Sequence, residues 1–215
     1  QHGWRAQHTV IEIVQRDMPF LVDSVRMALN RHGRVIHTIH NAIIHTQRDN
    51  GGLTELLTAD HSGAQAESVI YLEVDRTSDE TELKQIQAEL LQVLGHVDIA
   101  VTDYSAMQQR ATELLDQLNN QDPDSEEAAF LSWLLDDRFT FLGYDEIRIK
   151  DDQLVSAQDS ELGIFRLGEE EATASSLNGL RQAEREFLFE PSPLMFAKDA
   201  RNSLVHRPAY IDRII

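Results

Sequence analysis

The chain has 215 residues, 41% of them hydrophobic and 26% charged, values typical of a folded globular protein with one or two domains. Cysteine is absent, which excludes disulfides, thiolate metal sites and a cysteine nucleophile and favours a reducing, cytoplasmic location. The formal net charge of −18 opposes phosphate backbones and anionic lipid, and no apolar run approaches the length of a membrane span. We therefore expect neither nucleic-acid nor membrane binding.

Both ends of the chain predict a piece of a longer protein. It begins at Gln1 rather than Met and stops inside the apolar run Tyr210–Ile215. The last twenty residues carry four basic and two acidic side chains, a net charge of +2, in a chain whose total is −18. This contrast predicts a tail that packs on an acidic neighbouring domain.

The first predicted elements are a strand and an amphipathic helix joined by a tight turn. Residues 9–14 are β-branched and apolar, as in a buried strand. Apolar residues then recur at helical spacing over 21–29, and Gly33 fits a left-handed C-terminal stop. In the turn, Asp17 is placed to cap the helix, and Pro19 is tolerated in its first turn.

A hairpin and a further strand are predicted next. Residues 35–46 are rich in isoleucine and predict a strand. The Asn-Gly and Gly-Gly pairs in 47–52 predict a turn, after which 53–58 continue the hairpin. Residues 69–74 alternate apolar and polar, which favours a strand with one buried face.

The remaining elements of the first domain complete a six-element order. Residues 77–80 fit a capping box, and an apolar stripe over 83–93 predicts a helix ended by Gly95. Alternation over 97–101 predicts a last strand. The order strand, helix, strand, strand, helix, strand favours an α+β, ferredoxin-like (βαββαβ) domain over residues 1–104.

A second, smaller α+β domain is predicted after a connector. Residues 105–124 form a connecting helix and a polar linker, and 125–215 form the second domain, truncated at its C-terminus. A short helix begins near its start, a hairpin covers 139–155, and a further helix lies near 177–183. Aromatic strand candidates follow over 187–196, and the topology stays open.

No metal site or catalytic group is predicted. On a strand, residues three apart point to opposite faces, so His37 and His40 cannot chelate together. His32 and His45 belong to the same histidine-rich stretch, and neither of them provides a second ligand close enough for a metal site. Glycine-rich nucleotide-binding fingerprints and a nucleophile elbow are absent from the sequence. We expect no catalytic residue and no cofactor in this segment.

The opening turn is the candidate ligand-binding site, formed by Asp17, Met18, Pro19, Phe20 and Leu21. A helix N-terminus presents unpaired N–H groups and partial positive charge, which suit a carboxylate. Asp17 is also placed to satisfy those donors itself, and its charge opposes a second carboxylate. A small-molecule site and a purely structural capped turn therefore stay open as alternatives.

The element order and the stretch from Asp17 to Leu21 resemble an ACT domain, the regulatory module of many amino-acid enzymes. The resemblance implies amino-acid binding at this turn, often at an interface between two modules. The usual ACT turn reads Asp-x-Pro-Gly-x-Leu, whereas Phe20 stands here in the glycine position. Because a phenyl group would obstruct a ligand that lies close to the backbone, this difference favours a structural or assembly role.

Longer stretches resemble the N-terminal part of the large bacterial NAD-specific glutamate dehydrogenases. They are His8–Val14, Asp17–Val25, Trp133–Tyr144 and Val205–Tyr210. The resemblance implies several ACT-like modules, and a PAS-like one that would suit the second domain, ahead of a dehydrogenase core. That core oxidises L-glutamate to 2-oxoglutarate and ammonium with NAD, and such enzymes are homo-oligomers.

The resemblance also implies a division of labour. Catalysis and NAD binding would lie downstream, so this fragment alone would be inert. Its partners would be the downstream domains and other subunits, with a small amino acid as a further ligand. The alternative is a free-standing ACT-type amino-acid sensor that is not attached to a dehydrogenase.

Overall fold

The computed structural model describes residues 6–151, 153–167 and 196–215. They fall into two compact units, Gln1–Val97 with Leu204–Pro208, and Asp98–Ser203 with Ala209–Ile215. Both units combine helices with antiparallel strand pairs, so the predicted α+β class is confirmed. Among the described residues, no helix has both the length and the apolar character that a bilayer crossing requires.

The first unit contains an antiparallel sheet of four strands. They are β1 (Thr9–Arg16), β2 (Ile36–Asp49), β3 (Gly52–Leu57) and β4 (Gln65–Val74). The sheet order is β1-β4-β2-β3, with Ile13 opposite Ile70 and Ile39 opposite Leu72. The alternation predicted for residues 69–74 is confirmed, since Ile70 and Leu72 are fully buried while Tyr71 between them is half-buried.

Helix α1 (Leu21–Arg31) packs its apolar stripe into this unit and ends as the sequence predicts. Val25 and Leu29 are fully buried. At the C-terminus Gly33 takes φ +67° and donates its N–H to Asn30 O at 2.9 Å, while Arg34 N–H reaches Leu29 O at 3.1 Å. These two bonds form a Schellman motif, which satisfies carbonyls that the helix leaves free.

The β2–β3 hairpin turns at Asn50 and Gly51, which have φ of +48° and +81°. Positive φ at both central residues is the requirement of the turn that matches the twist of paired strands. Near this turn an ion pair joins the hairpin to β4, because the Arg48 guanidinium donates to both oxygens of Glu67 at 2.6 and 2.9 Å. Glu67 is buried, and its pKa is lowered chiefly by this hydrogen bond from Arg48.

The predicted sixth strand is wrong. Helix α2 runs without a break over Glu80–Gln121, and residues 97–101 lie inside it. Within this helix the buried apolar residues recur at intervals of three, four or seven positions, which is helical spacing; they are Ile86, Leu90, Val93, Val97, Ala100, Met107 and Ala111. Gly95 does not stop the helix, so the complete βαββαβ order is not formed.

The N-terminus of α2 also differs from the predicted capping box. Asp79, rather than Thr77, caps the helix, because its Oδ1 accepts the N–H groups of Thr81 at 2.8 Å and Glu82 at 3.4 Å. The Thr77 hydroxyl instead donates to a Glu82 side-chain oxygen at 2.6 Å. A helix is therefore confirmed here, and it begins two residues later than a cap at Thr77 predicts.

In the part of the second unit that the structure describes, the C-terminal part of α2 is followed by a short helix and three small strand pairs. Helix α3 (Glu126–Trp133) is capped by Ser125, as the sequence predicts for a helix starting there. The chain then turns over Leu134–Arg138, where the backbone angles of Asp136 and Asp137 are not helical. The strands are β5 (Gly143–Tyr144), β6 (Ile147–Lys150), β7 (Gln153–Ser156), β8 (Leu162–Gly163), β9 (Phe196–Asn202) and β10 (Tyr210–Ile214). The pairs are β5 with β8, β6 with β7, and β9 with β10.

The predicted hairpin over 139–155 is confirmed in its second half by the β6–β7 pair. Its first half holds only the two-residue strand β5, since residues 139–142 form no strand with the residues that the structure describes. The predicted helix near 177–183 and most of the strands over 187–196 lie outside the described residues. A PAS-like topology is not confirmed.

A buried carboxylate anchors part of the second unit. Asp103 is 8% exposed and accepts the Gly163 N–H at 2.8 Å and Arg166 Nη1 at 2.9 Å. Gly163 takes φ +61°, and a Cβ there would meet Leu142 O at 2.2 Å. The Asp103 carboxylate therefore holds both Gly163 and Arg166 in place. Position 163 requires glycine, because a side chain there would collide with the backbone of Leu142.

Candidate functional site at the start of helix α1

The opening turn joins the end of β1 to the start of α1. Asp17 N–H donates to Ala66 O on β4 at 2.9 Å, so this residue still follows the sheet. Met18 is buried, Pro19 is exposed and Phe20 is half-buried. The structure thus brings the five predicted residues into one turn, but the side chains of Met18 and Leu21 belong to the core.

Asp17 does not cap α1, so the predicted capped turn is wrong in this detail. The N-cap residue is Phe20, whose carbonyl accepts the Ser24 N–H at 3.0 Å and whose side chain makes no capping hydrogen bond. Pro19 likewise precedes the helix instead of entering its first turn. The reason is that Asp17 N–H extends the strand pairing, which leaves its carboxylate three residues before the cap.

Phe20, which stands at the glycine position of the ACT-type pattern, has a backbone conformation that glycine adopts readily. Its φ is +72° and its ψ is −3°, in the left-handed region. A residue with a Cβ pays about 1–2 kcal/mol for this conformation. A bulky residue held there indicates that its surroundings determine the conformation.

Those surroundings include a segment far along the chain. Residues Leu204–Pro208, here called the strap, belong to the first compact unit. The His206 ring lies 4.8 Å from the Phe20 ring at an angle of 52°, and His206 N–H donates to Ser24 Oγ at 3.0 Å. Val205 is 2% exposed. The strap therefore covers the first turn of α1.

Sequence reasoning missed Ser24, Val205 and His206 as members of this site. The stretch from Val205 to Tyr210 carried part of the family resemblance, yet nothing local connects it with a helix 182 residues earlier. Hydrophobic periodicity indicates which face of a helix or strand is buried, but it does not indicate which distant segment packs on that face.

A second polar cluster lies on β4 and its neighbours. The His8 and His37 rings stack with centroids 4.2 Å apart, and each bonds a carboxylate, His8 to Glu73 at 2.8 Å and His37 to Asp75 at 2.7 Å. The His8 hydrogen bond lowers the pKa of Glu73, with a second contribution from the Tyr71 hydroxyl. The His37 hydrogen bond lowers the pKa of Asp75 in the same way.

This cluster ties β4 to its neighbours rather than building a metal centre. Its histidines are paired with carboxylates, and His40 lies beside Tyr71 with ring centroids 6.3 Å apart. In the part of the chain that the structure describes, no group of three or more histidine, aspartate or glutamate side chains is arranged to hold a metal ion.

Comparison with known proteins identifies the family. The model of the glutamate dehydrogenase ACT1 domain matches residues 1–90. An NAD-specific glutamate dehydrogenase of Halomonas elongata is 41% identical over 228 residues, and one of Pseudomonas aeruginosa is 39% identical over 227; both alignments cover 100% of this chain. The chain belongs to the NAD-specific glutamate dehydrogenase family.

The match covers a small part of these dehydrogenases. The chain spans 14% of the length of the Halomonas and Pseudomonas proteins. An NAD-specific glutamate dehydrogenase of Mycobacterium tuberculosis is 26% identical over 171 residues, which cover 73% of this chain and 10% of that protein. The resemblance inferred from the sequence motifs is confirmed, and the free-standing sensor is not favoured.

Proposed function

We propose that this chain is a non-catalytic regulatory and assembly segment of an NAD-dependent glutamate dehydrogenase. The observation that carries the proposal is the match along the whole chain to two NAD-specific glutamate dehydrogenases, joined with the ACT1 match over 1–90. The intact enzyme would convert L-glutamate, NAD and water into 2-oxoglutarate, ammonium and NADH. NAD would bind downstream of this segment, in a cytoplasmic homo-oligomer.

The domain division inferred from the sequence belongs to the same proposal. It assigns residues 1–104 to the ACT-like domain, 105–124 to the connector and 125–215 to the second α+β domain. The non-catalytic role is supported by the polar side-chain pairs of the structure, because these pairs hold elements of the fold together. The hydrogen bond between His8 and Glu73 and the ion pairs Arg48–Glu67 and Asp103–Arg166 each join separate elements of one unit, which is a structural use of these polar groups.

The β2–β3 hairpin is the assembly surface that we favour in the first unit. β3 is an edge strand, and the side chains of Leu53 and Leu56 on it are 52% and 65% exposed. Exposed leucines on an edge strand favour contact with another subunit or module. Charged residues placed there would weaken such a contact without opening the core.

Light scattering on the full-length protein tests this role. We expect Leu53→Glu with Leu56→Glu to lower the mass of the oligomer while glutamate-dependent NADH formation by the catalytic core persists. Leu91→Glu is the matched control, because Leu91 is 64% exposed on α2 and distant from β3 in sequence. An unchanged mass in the hairpin variant contradicts the assembly role.

A small amino acid at the turn from Asp17 to Leu21 is the second candidate function. It is favoured by one observation, namely that α1 begins without a side-chain cap. Of the five predicted residues, Asp17, Pro19 and Phe20 have exposed surface that a ligand could contact. Calorimetry with L-glutamate, L-aspartate and the branched-chain amino acids tests the site, and no heat with any of them leaves only the structural role.

A further inference from the structure

The strap makes a specific contact with the first turn of α1. Ser24 is fully buried, and its hydroxyl oxygen accepts the His206 N–H at 3.0 Å. Val205 is almost entirely buried beside this bond. A buried hydroxyl needs a partner, so the strap satisfies a polar group that would otherwise be costly to bury.

The contact holds two residues in unfavourable backbone conformations. Phe20 has φ +72° and His206 has φ +69°, and their ring centroids lie 4.8 Å apart with the ring planes tilted by 52°. Arg207 N–H bonds Val205 O at 2.8 Å, which makes His206 the centre of a γ-turn with positive φ, a rare and strained arrangement. Such residues persist only where packing over-determines them, and they concentrate at clamps and switches.

The attachment of the strap is narrow. Arg207 and Pro208 are exposed, Leu204 and His206 are half-buried, and only Val205 is buried. The loop is closed at its base by a bond that does not involve α1, from Ser203 N–H to Ala209 O at 2.8 Å. Departure from α1 therefore leaves the loop's own closure intact.

We propose that Leu204–Pro208 is a releasable strap that closes the amide end of α1. Docked, it covers the first helical turn and holds Phe20 and His206 in the left-handed region. Released, it allows both residues to relax and opens the turn to solvent, so a small molecule at the turn has to compete with it. The inference concerns the strap itself and goes beyond the regulatory role proposed above.

Hydrogen exchange of the full-length protein, followed by mass spectrometry, tests the strap. We expect peptides covering 204–208 and 20–24 to exchange together and ahead of the β4 peptide 70–74, because the strap opens without unfolding the core. Ser24→Ala removes the acceptor and should speed exchange in the first two peptides about fivefold, with the β4 peptide unchanged.

Ser68→Ala is the matched control. Ser68 is another buried serine of the first unit, and its hydroxyl donates to Asn41 Oδ1 at 2.7 Å. In this control we expect the strap peptide to exchange faster than the β4 peptide by the same factor as in the wild type. Where Ser24→Ala does not fold, Val205→Ala should give the same selective acceleration. A strap that exchanges only in step with β4, in the wild type or in the variants, overturns the proposal.

Discussion

Phe20 is the residue on which the account of the opening turn depends. The family pattern expects glycine at this position, and the phenylalanine found there adopts the positive φ that glycine tolerates. We expect Phe20→Gly to be more stable than Phe20→Ala by about 1 kcal/mol, because both lose the ring and only glycine relieves the backbone. Urea denaturation of both variants measures the difference.

The comparison of the two variants separates the backbone from the ring contact with His206. Phe20→Leu is a further control, since it retains apolar bulk and the unfavourable φ. An alanine variant as stable as the glycine variant would show that the backbone at this position is not strained.

Glu67 makes a pH-dependent contribution to stability. Its pKa in the folded state is lowered chiefly by the hydrogen bond from Arg48, so it lies below the unfolded value of about 4.3. The stabilisation is fully present above the unfolded pKa and is lost as the pH falls through the folded pKa. We expect Glu67→Gln to flatten the loss of stability below about pH 4.5, measured by urea midpoints from neutral pH downward.

Glu55→Gln is the control for this pH dependence. Glu55 lies on β3 with an exposed side chain, so its substitution leaves the Arg48 pair intact. If the Glu67 variant loses stability in acid as steeply as the wild type, the pair does not contribute as argued.

At the scale of elements, the sequence predicted those whose periodicity extends over a whole segment. Strand β1, helix α1 with its glycine stop, the β2–β3 hairpin and strand β4 were correctly predicted. The sixth strand was wrong because three alternating residues, Val97, Ile99 and Val101, fit the strand period within a short window. The helical spacing of Val93, Val97 and Ala100 is evident only over the longer helix.

The continuity of α2 predicts opposite effects for two glycine substitutions. Gly95 lies inside the helix, and a Cβ there meets nothing within 4 Å, so Gly95→Ala should stabilise by about 0.5–1 kcal/mol. Gly33→Ala should instead destabilise by about 1 kcal/mol, because Gly33 has φ +67°. Thermal unfolding of both variants measures the two effects.

The pair also decides between a helix and a strand over 97–101. If Gly95 ended a helix in a left-handed conformation, alanine would destabilise at that position as it does at Gly33. Destabilisation by Gly95→Ala therefore contradicts the continuous helix.

At the scale of the whole molecule, the sequence predicted the opening turn but not the strap that packs on it. The segment from Asp17 to Leu21 was located because its signals are local, a strand followed by a helix. The strap contact between His206 and Ser24 spans 182 residues, and single-sequence periodicity carries no record of it. Within the first unit, His206 Nδ1 also lies 4.0 Å from Asp23 Oδ2.

The family, by contrast, was recognisable from short stretches dispersed along the chain. Matches over 100% of the chain to NAD-specific glutamate dehydrogenases support the same conclusion from every part of the sequence. This chain corresponds to 14% of the length of those proteins. We propose that the part supplies contacts and control, while the chemistry lies elsewhere in the protein.

Glutamate-dependent NADH formation tests this division of labour most directly. The assay compares the full-length protein with the 215-residue chain alone, at equal molar concentration and with the same NAD and L-glutamate. We expect the full-length protein to form NADH and the 215-residue chain to form none. NADH formation by the chain alone, or its absence from the folded full-length protein, would contradict the account.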